Sequence, residues 1–136
     1  MIAEYFLDSN VVLYAYMDDD KNKKERAQEI LALTDCCISS QVVGEVCCNL
    51  IKKAGFSEAE VIEIIDEFYS LYQVIPIDHS IFHTASHLRS VHSFSYWDSF
   101  IVSAAIKAGV NTLYSEDMQH GLKVKGVTII NPFKEK

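Results

Sequence analysis

Tyr5-Phe6-Leu7-Asp8-Ser9-Asn10-Val11-Val12 opens the first regular element of the chain. A short apolar run meets an acid, and small polar residues follow. Such a run reads as a buried strand whose carboxyl end is marked by Asp8. The same grammar returns far downstream, where Thr112-Leu113-Tyr114 runs into Ser115-Glu116-Asp117. Between them strands and helices alternate. Cys36-Cys37-Ile38 and the stretch from Val74 to Ile77 read as strands, and Pro76 places the second at an edge or strand end. Ala27, Ile30, Leu31 and Leu33 have helical spacing. Val42, Val43, Val46, Cys47, Leu50 and Ile51 form a helical stripe from Gln41 to Ala54, stopped by Gly55. Ser57 and Glu60 spell a capping box ahead of Val61, Ile64 and Phe68. Asp78 or Ser80 caps a helix through Leu88. A longer helix runs from about Tyr96 to Ala108 and stops at Gly109, and Val127 to Ile130 is the last strand. This order predicts an α/β fold with a mostly parallel sheet and helices on both faces. Ligands of such sheets bind beyond the carboxyl ends of the strands, where the strand order reverses. Asp8 and the Glu116-Asp117 pair are therefore candidates.

Composition sets the class. A chain of 136 residues, 49% apolar and 23% charged, predicts one globular domain over residues 1–136. The net charge of −7 argues against a protein that simply coats phosphate backbones. It suits carboxylates gathered around divalent cations. Cys36-Cys37 and Cys47-Cys48 have neither zinc-knuckle nor redox spacing and read as small buried hydrophobes. Glu4 and Asp8 interrupt any secretory leader, and no apolar run is long enough for a bilayer. A cytoplasmic setting with no membrane contact is expected.

Asp98 is the internal anomaly. On a helical wheel it lies with Ile101, Val102 and Ala105, while Ser99, Ser103 and Lys107 take the other side. A carboxylate facing a core needs a cation, hydrogen bonds or a raised pKa. Equally, an Asp in a first helical turn can satisfy free backbone N–H groups. Asp8 has a similar double reading, as site residue or as an Asx turn or cap. By the wheel alone, Glu45 shares a solvated face with Gln41, Asn49 and Lys52. Asp117 is an ordinary loop acid. His79, His83 and His87 share a helical face, but no fourth ligand or general-base Glu accompanies them, so zinc is not expected. Phosphate loops and a nucleophile elbow are absent from the sequence.

Four segments in order carry more than any one of them: Phe6-Leu7-Asp8-Ser9-Asn10, Val43-Gly44-Glu45-Val46, Tyr96-Trp97-Asp98-Ser99-Phe100 and Tyr114-Ser115-Glu116-Asp117-Met118. Together they resemble the PIN-domain nucleases, and among them the VapC-type toxins of prokaryotic toxin–antitoxin pairs. The resemblance spans nearly the whole chain. It implies a three-layer α/β/α sandwich and an acidic quartet at Asp8, Glu45, Asp98 and Asp117. It also moves Glu45 from the surface into the cleft. Ser115 stands where the family often has Ser or Thr, and Asn10 where a small polar residue helps hold the first Asp. Glu116 is an extra acid whose role can be shared or exchanged with that of Asp117.

The implied activity is metal-dependent endoribonuclease cleavage. Mg²⁺ or Mn²⁺ prefers carboxylate oxygens and can both activate water and neutralise phosphate charge. The first ion would rest mainly on Asp8 and Asp98, with Asp117 and Glu45 direct or through waters. The products implied are a 5′-phosphate and a 3′-hydroxyl. Lys21, Lys23, Lys24, Arg26, Lys52 and Lys53 are candidates to guide RNA, against a bland reading as solubility residues. The implied partners are an RNA substrate, a small antitoxin protein and a second copy of the chain. Phe56, Phe68, Tyr69 and Tyr72 supply aromatics for that dimer, or for the core. The alternative is a non-catalytic PIN-fold module that binds RNA or protein. A haloacid-dehalogenase-like phosphatase fits less well, because Asn10 stands where its second acid belongs. A receiver domain lacks its downstream Lys.

Overall fold

A computed structural model describes residues 3–33 and 35–134; the outermost residues of the expected 1–136 domain lie outside this description. In chain order the elements are β1 (Tyr5–Leu7), α1 (Ser9–Tyr14), α2 (Lys21–Leu31), β2 (Cys36–Ser39), α3 (Ser40–Ala54) and α4 (Glu58–Leu71). There follow β3 (Gln73–Ile75), α5 (His79–Val91), α6 (Tyr96–Ala108), β4 (Thr112–Tyr114), β5 (Lys123–Val124) and β6 (Val127–Ile130). The described strands form one sheet in the order β3-β2-β1-β4-β6-β5. Every pairing is parallel except β5 with β6. Helices cover the sheet in the three-layer α/β/α arrangement expected from the sequence. On the helical layers α1 meets α2 and α3, α3 meets α4, and α5 meets α6, which itself lies against β2 and β3.

The chain first builds β1, β2 and β3 in one direction and then inserts β4 on the far side of β1. The order therefore reverses between β1 and β4, and the crevice opens beyond their carboxyl ends. The central parallel strands are covered on both faces, so their side chains are mostly apolar. Phe6, Leu7, Cys37, Leu113 and Ile129 have no exposed surface. Fully burying one such large side chain is worth about 1.5–3 kcal/mol.

Local signals act where the sequence placed them. Ser57 Oγ accepts from Glu60 N at 3.2 Å, and Glu60 Oε1 accepts from Ser57 N at 3.0 Å, completing the capping box. Gly55 and Gly109 end α3 and α6 in the left-handed region, at φ 68° and 75°, where a side chain would be strained. Asp78 is the N-cap of α5, which runs on to Val91. β3 is an edge strand that ends just before Pro76.

Three expectations are corrected and one open choice is decided. The wheel of α6 divided it into two faces, yet Ser99 and Ser103 are buried along with Phe100 to Val102. Their hydroxyls make this possible: Ser103 donates to Ile81 O at 3.0 Å, and Ser99 donates to Tyr96 O and accepts from Arg89 at 2.8 Å. Small, satisfied residues bring α5 and α6 close together. Cys48 is exposed although Cys36 and Cys37 are buried, because neighbours on a helix cannot share one face. Phe68 belongs to the core, and Phe56 and Tyr72 pack against it; Tyr72 donates to Leu31 O at 2.8 Å. Of the four proposed dimer aromatics only Tyr69 is exposed. Finally, α2 stops at Leu31 and Leu33 lies beyond it, 40% exposed.

Candidate active site

β1 and β4 pair in register, Leu7 opposite Tyr114. The residues that follow, Asp8 and Ser115, are thus neighbours across 107 residues of sequence. Asp8 N donates to Tyr114 O at 3.0 Å. Ser115 Oγ donates to Asp8 Oδ2 at 2.8 Å, and Ser9 N donates to Asp8 Oδ1 at 2.7 Å. Asp8 is therefore both the N-cap of α1 and a buried acid, 4% exposed. Asn10 does not hold Asp8, as the resemblance implied. Its Nδ2 donates to Asp117 Oδ2 at 2.9 Å, and its Oδ1 accepts from Glu116 N at 3.3 Å. The two strand ends are laced crosswise: the β4 end holds the β1 acid, and the β1 end holds the β4 acid. A polar residue two positions from each acid meets the opposite strand because the strands are adjacent and parallel.

Asp98 enters from α6. Ser95 is the N-cap there, its Oγ accepting from Asp98 N at 3.2 Å. This leaves the Asp98 carboxylate, half-buried, facing Asp117 across a cavity of about 410 Å³ that both line. Glu45 enters from α3, half-buried rather than solvated as the wheel read it. Gln41 Nε2 lies 3.4 Å from Glu45 Oε1 and 3.4 Å from Trp97 O, tying α3 to the start of α6. Gln41, Ser95 and Trp97 escaped the sequence reading. The capping pattern from Ser95 to Asp98 was visible there; the role of Gln41 was not, because its partners are up to 56 residues away.

Charge is the dominant feature. Burial pushes the Asp8 carboxyl up from 3.8 to about 7; its two hydrogen bonds oppose this, and the charges of Asp98 and Glu45 add to it. Asp98 is raised as well, by burial first and by the Asp117 charge, against the Ser95 hydroxyl. No ion pair to Asp8, Glu45, Asp98 or Asp117 occurs among the described residues. Nor, among these residues, do three His, Cys, Asp or Glu side chains close on one point. In kind the donors fit a hard dication: carboxylate oxygens, negative in sum, with no protein cation among them.

Glu116 is separated from this set. Lys23 forms an ion pair with it and Tyr14 donates to it at 2.7 Å, while Lys23 lies 5.0 Å over the Tyr14 ring. Of the two adjacent acids, Asp117 and not Glu116 lines the cavity with Asp98. Within the basic cluster Lys23 pairs with Glu116 and Lys24 with Asp18 at 2.6 Å, while Lys21 stays exposed. Lys53 lines a cavity of about 270 Å³ with Asn10, Glu116 and Asp117. His79, His83 and His87 are exposed, the first two rings 4.5 Å apart. No described helix is long and apolar enough to cross a membrane.

Three solved structures share the fold. VapC20 from Mycobacterium tuberculosis, a Sarcin-Ricin loop cleaving toxin, superposes with a TM-score of 0.70 at 18% identity, covering 84% of this chain and 90% of that one. A chain of a toxin–antitoxin complex from Klebsiella pneumoniae gives 0.72 at 16% identity, covering 97% and 100%. VapBC2 from Rickettsia felis, bound to a DNA fragment from their promoter, gives 0.66 at 19% identity, covering 95% and 97%. No curated protein matches the sequence significantly. The family model of the PIN domain matches residues 5–122, from the first residue of β1 to the residue before β5, and the chain belongs to the PIN domain family.

Proposed function

We propose that the protein is a divalent-metal-dependent endoribonuclease with Asp8, Asp98, Asp117 and Glu45 as its working acids. One observation carries this reading. Asp98 and Asp117 line one cavity, the charges of Asp98 and Glu45 reach Asp8, no ion pair to any of the four occurs among the described residues, and burial with neighbouring negative charge raises Asp8 and Asp98. A fold that maintains such a cluster needs a reason to do so, because an unpaired buried carboxylate destabilises it.

Asp8 and Asp98 would hold Mg²⁺ or Mn²⁺, with Asp117 and Glu45 completing the set. Bound there, the ion would supply phosphate charge neutralisation and a water of lowered pKa. The chain's own contribution is orientation. Ser115 fixes Asp8, Asn10 fixes Asp117, and Gln41 fixes Glu45. Lys53, which lines a cavity with Asp117, would meet the RNA backbone. Supplementing total RNA with the protein, with and without Mg²⁺, and mapping new 5′ ends tests the reading. Discrete metal-dependent cuts bearing 5′-phosphate are expected. Intact RNA under every metal condition would favour a non-catalytic PIN-fold binding module, the reading to which the spread of the acids lends weight.

We further infer that it is the toxin of a toxin–antitoxin pair, cytoplasmic, dimeric and bound by a small antitoxin. The fold likeness to toxin–antitoxin chains supports this. So does α4, where Ile62, Ile65 and Tyr69 lie at i, i+3, i+7; Ile62 and Tyr69 are 58% and 55% exposed. Such a stripe suits a protein contact. Sedimentation is expected to give a dimer at micromolar concentration, and a monomer throughout would refute the dimer.

A further inference from the structure

Trp97 is the only tryptophan of the chain, and 56% of it is exposed. Its neighbours fix the indole without covering it: Tyr96 meets it edge-on at 5.0 Å and Phe100 at a tilt, 5.2 Å away. Tyr96 is in turn braced by the Arg89 guanidinium, 4.4 Å over its ring. Trp97 thus keeps an open surface one residue before Asp98. It walls a cavity of about 370 Å³ whose other sides are Gln41, Gly44, Glu45, Cys48 and Asn49 of α3. A Cβ built on Gly44 would meet nothing within 4 Å, so that side of the cavity is open. Gln41 Oε1 is itself buried, without a hydrogen-bond partner among the described residues. Asn49 spends its Nδ2 on Glu45 O, at 2.8 Å, which leaves its Oδ1 as an acceptor.

We propose that this cavity seats an unpaired nucleobase of single-stranded RNA, stacked on Trp97 with its edge toward the amides of Gln41 and Asn49. The subsite rests on the nuclease reading above and adds to it a demand for an open strand at the cut. Three observations favour a base. The molecule carries a net charge of −7, and Lys23 and Lys24 are paired with acids, which leaves Lys53, lining a cavity with Asp117, for phosphate contact. Stacking needs no cation, and only a base outside a duplex offers its face. The amide acceptors call for N–H donors, which a base edge carries and an apolar protein side chain lacks.

The lone tryptophan is its own probe. Tryptophan emission is followed while a short mixed-sequence single-stranded RNA, the same strand with abasic positions, or its duplex is added. To keep the strand uncut, the wild type is used with EDTA and the Asp98→Asn variant with Mg²⁺. The intact single strand is expected to quench the emission. The abasic strand is expected to bind about ten- to hundredfold more weakly, the loss of one stacked base. Trp97→Leu, which keeps apolar packing on Phe100 but has no π face, is expected to weaken binding of a labelled strand by about tenfold or more; Trp97→Phe is expected to restore most of it. Circular dichroism checks that both variants fold. Equal affinity for intact and abasic strands overturns the subsite, as does wild-type affinity in Trp97→Leu. Emission that shifts on protein dilution and ignores RNA also overturns it and assigns the face to a second copy. Binding is read without turnover, so the two readings fail separately. Quenching without any Mg²⁺-dependent cleavage keeps the subsite and refutes the nuclease; cleavage without a base effect does the reverse.

Discussion

Asp8 carries the electrostatic cost of a buried carboxylate. Its folded pKa of about 7 lies above its ordinary 3.8, so folding favours the protonated form. The stabilisation is complete below pH 3.8 and is lost as pH rises through 7, a swing on the order of 4 kcal/mol. Urea unfolding without metal is expected to show Asp8→Asn more stable than wild type at pH 7.5, with the gap closing toward pH 4. An Asn can still accept from Ser9 N and donate to Ser115, so the cap survives. Asp98→Asn separates the two readings of that residue. A metal-binding Asp98 predicts loss of RNA cleavage by more than about a hundredfold, with stability in EDTA level or higher. A mere helix-start Asp predicts little change in either assay, because the cap is already Ser95. At this scale the acids were legible in the sequence, but their partners were not. Asn10 and Ser115 were both singled out, and each holds the acid of the other strand.

Among the elements, those governed by local chemistry were the readable ones. The capping box at Ser57 and Glu60 is an interaction over three residues, and its contribution should be local too. Ser57→Ala is expected to lower stability by about 1 kcal/mol with RNA cleavage unchanged, checked by urea denaturation and a cleavage assay. β5 went unread because two residues show no periodicity. Its signal lay in the turn: Lys125 and Gly126 both have positive φ, 48° and 87°, the signature of a two-residue hairpin. α6 shows the limit of the helical wheel. Its middle, Ser99 to Ala105, is buried all round and has no polar face, and small hydroxyl residues at its contacts imitate one.

For the whole molecule, metal bound at the acids as proposed would couple folding to the ion. A dication that binds the native cluster and not the unfolded chain stabilises by about 2.7 kcal/mol at a hundred times its Kd. Melting in Mn²⁺ or Mg²⁺ is expected to raise Tm by several degrees over EDTA. Asp8→Asn and Asp98→Asn should abolish most of that rise, whereas Tyr69→Ala, on the far stripe of α4, should keep it. The sequence alone determined the α/β class, because apolar runs, helical stripes and caps are short-range patterns written in consecutive residues. It also placed Asp8 and Asp117 just past strands. Only the tertiary structure decided that β1 and β4 are neighbours, that Asp117 rather than Glu116 faces Asp98, and that Glu45 and Trp97 border one cavity. Those facts depend on strand order and helix docking, which bring together residues up to 107 positions apart and leave no periodic trace in the chain.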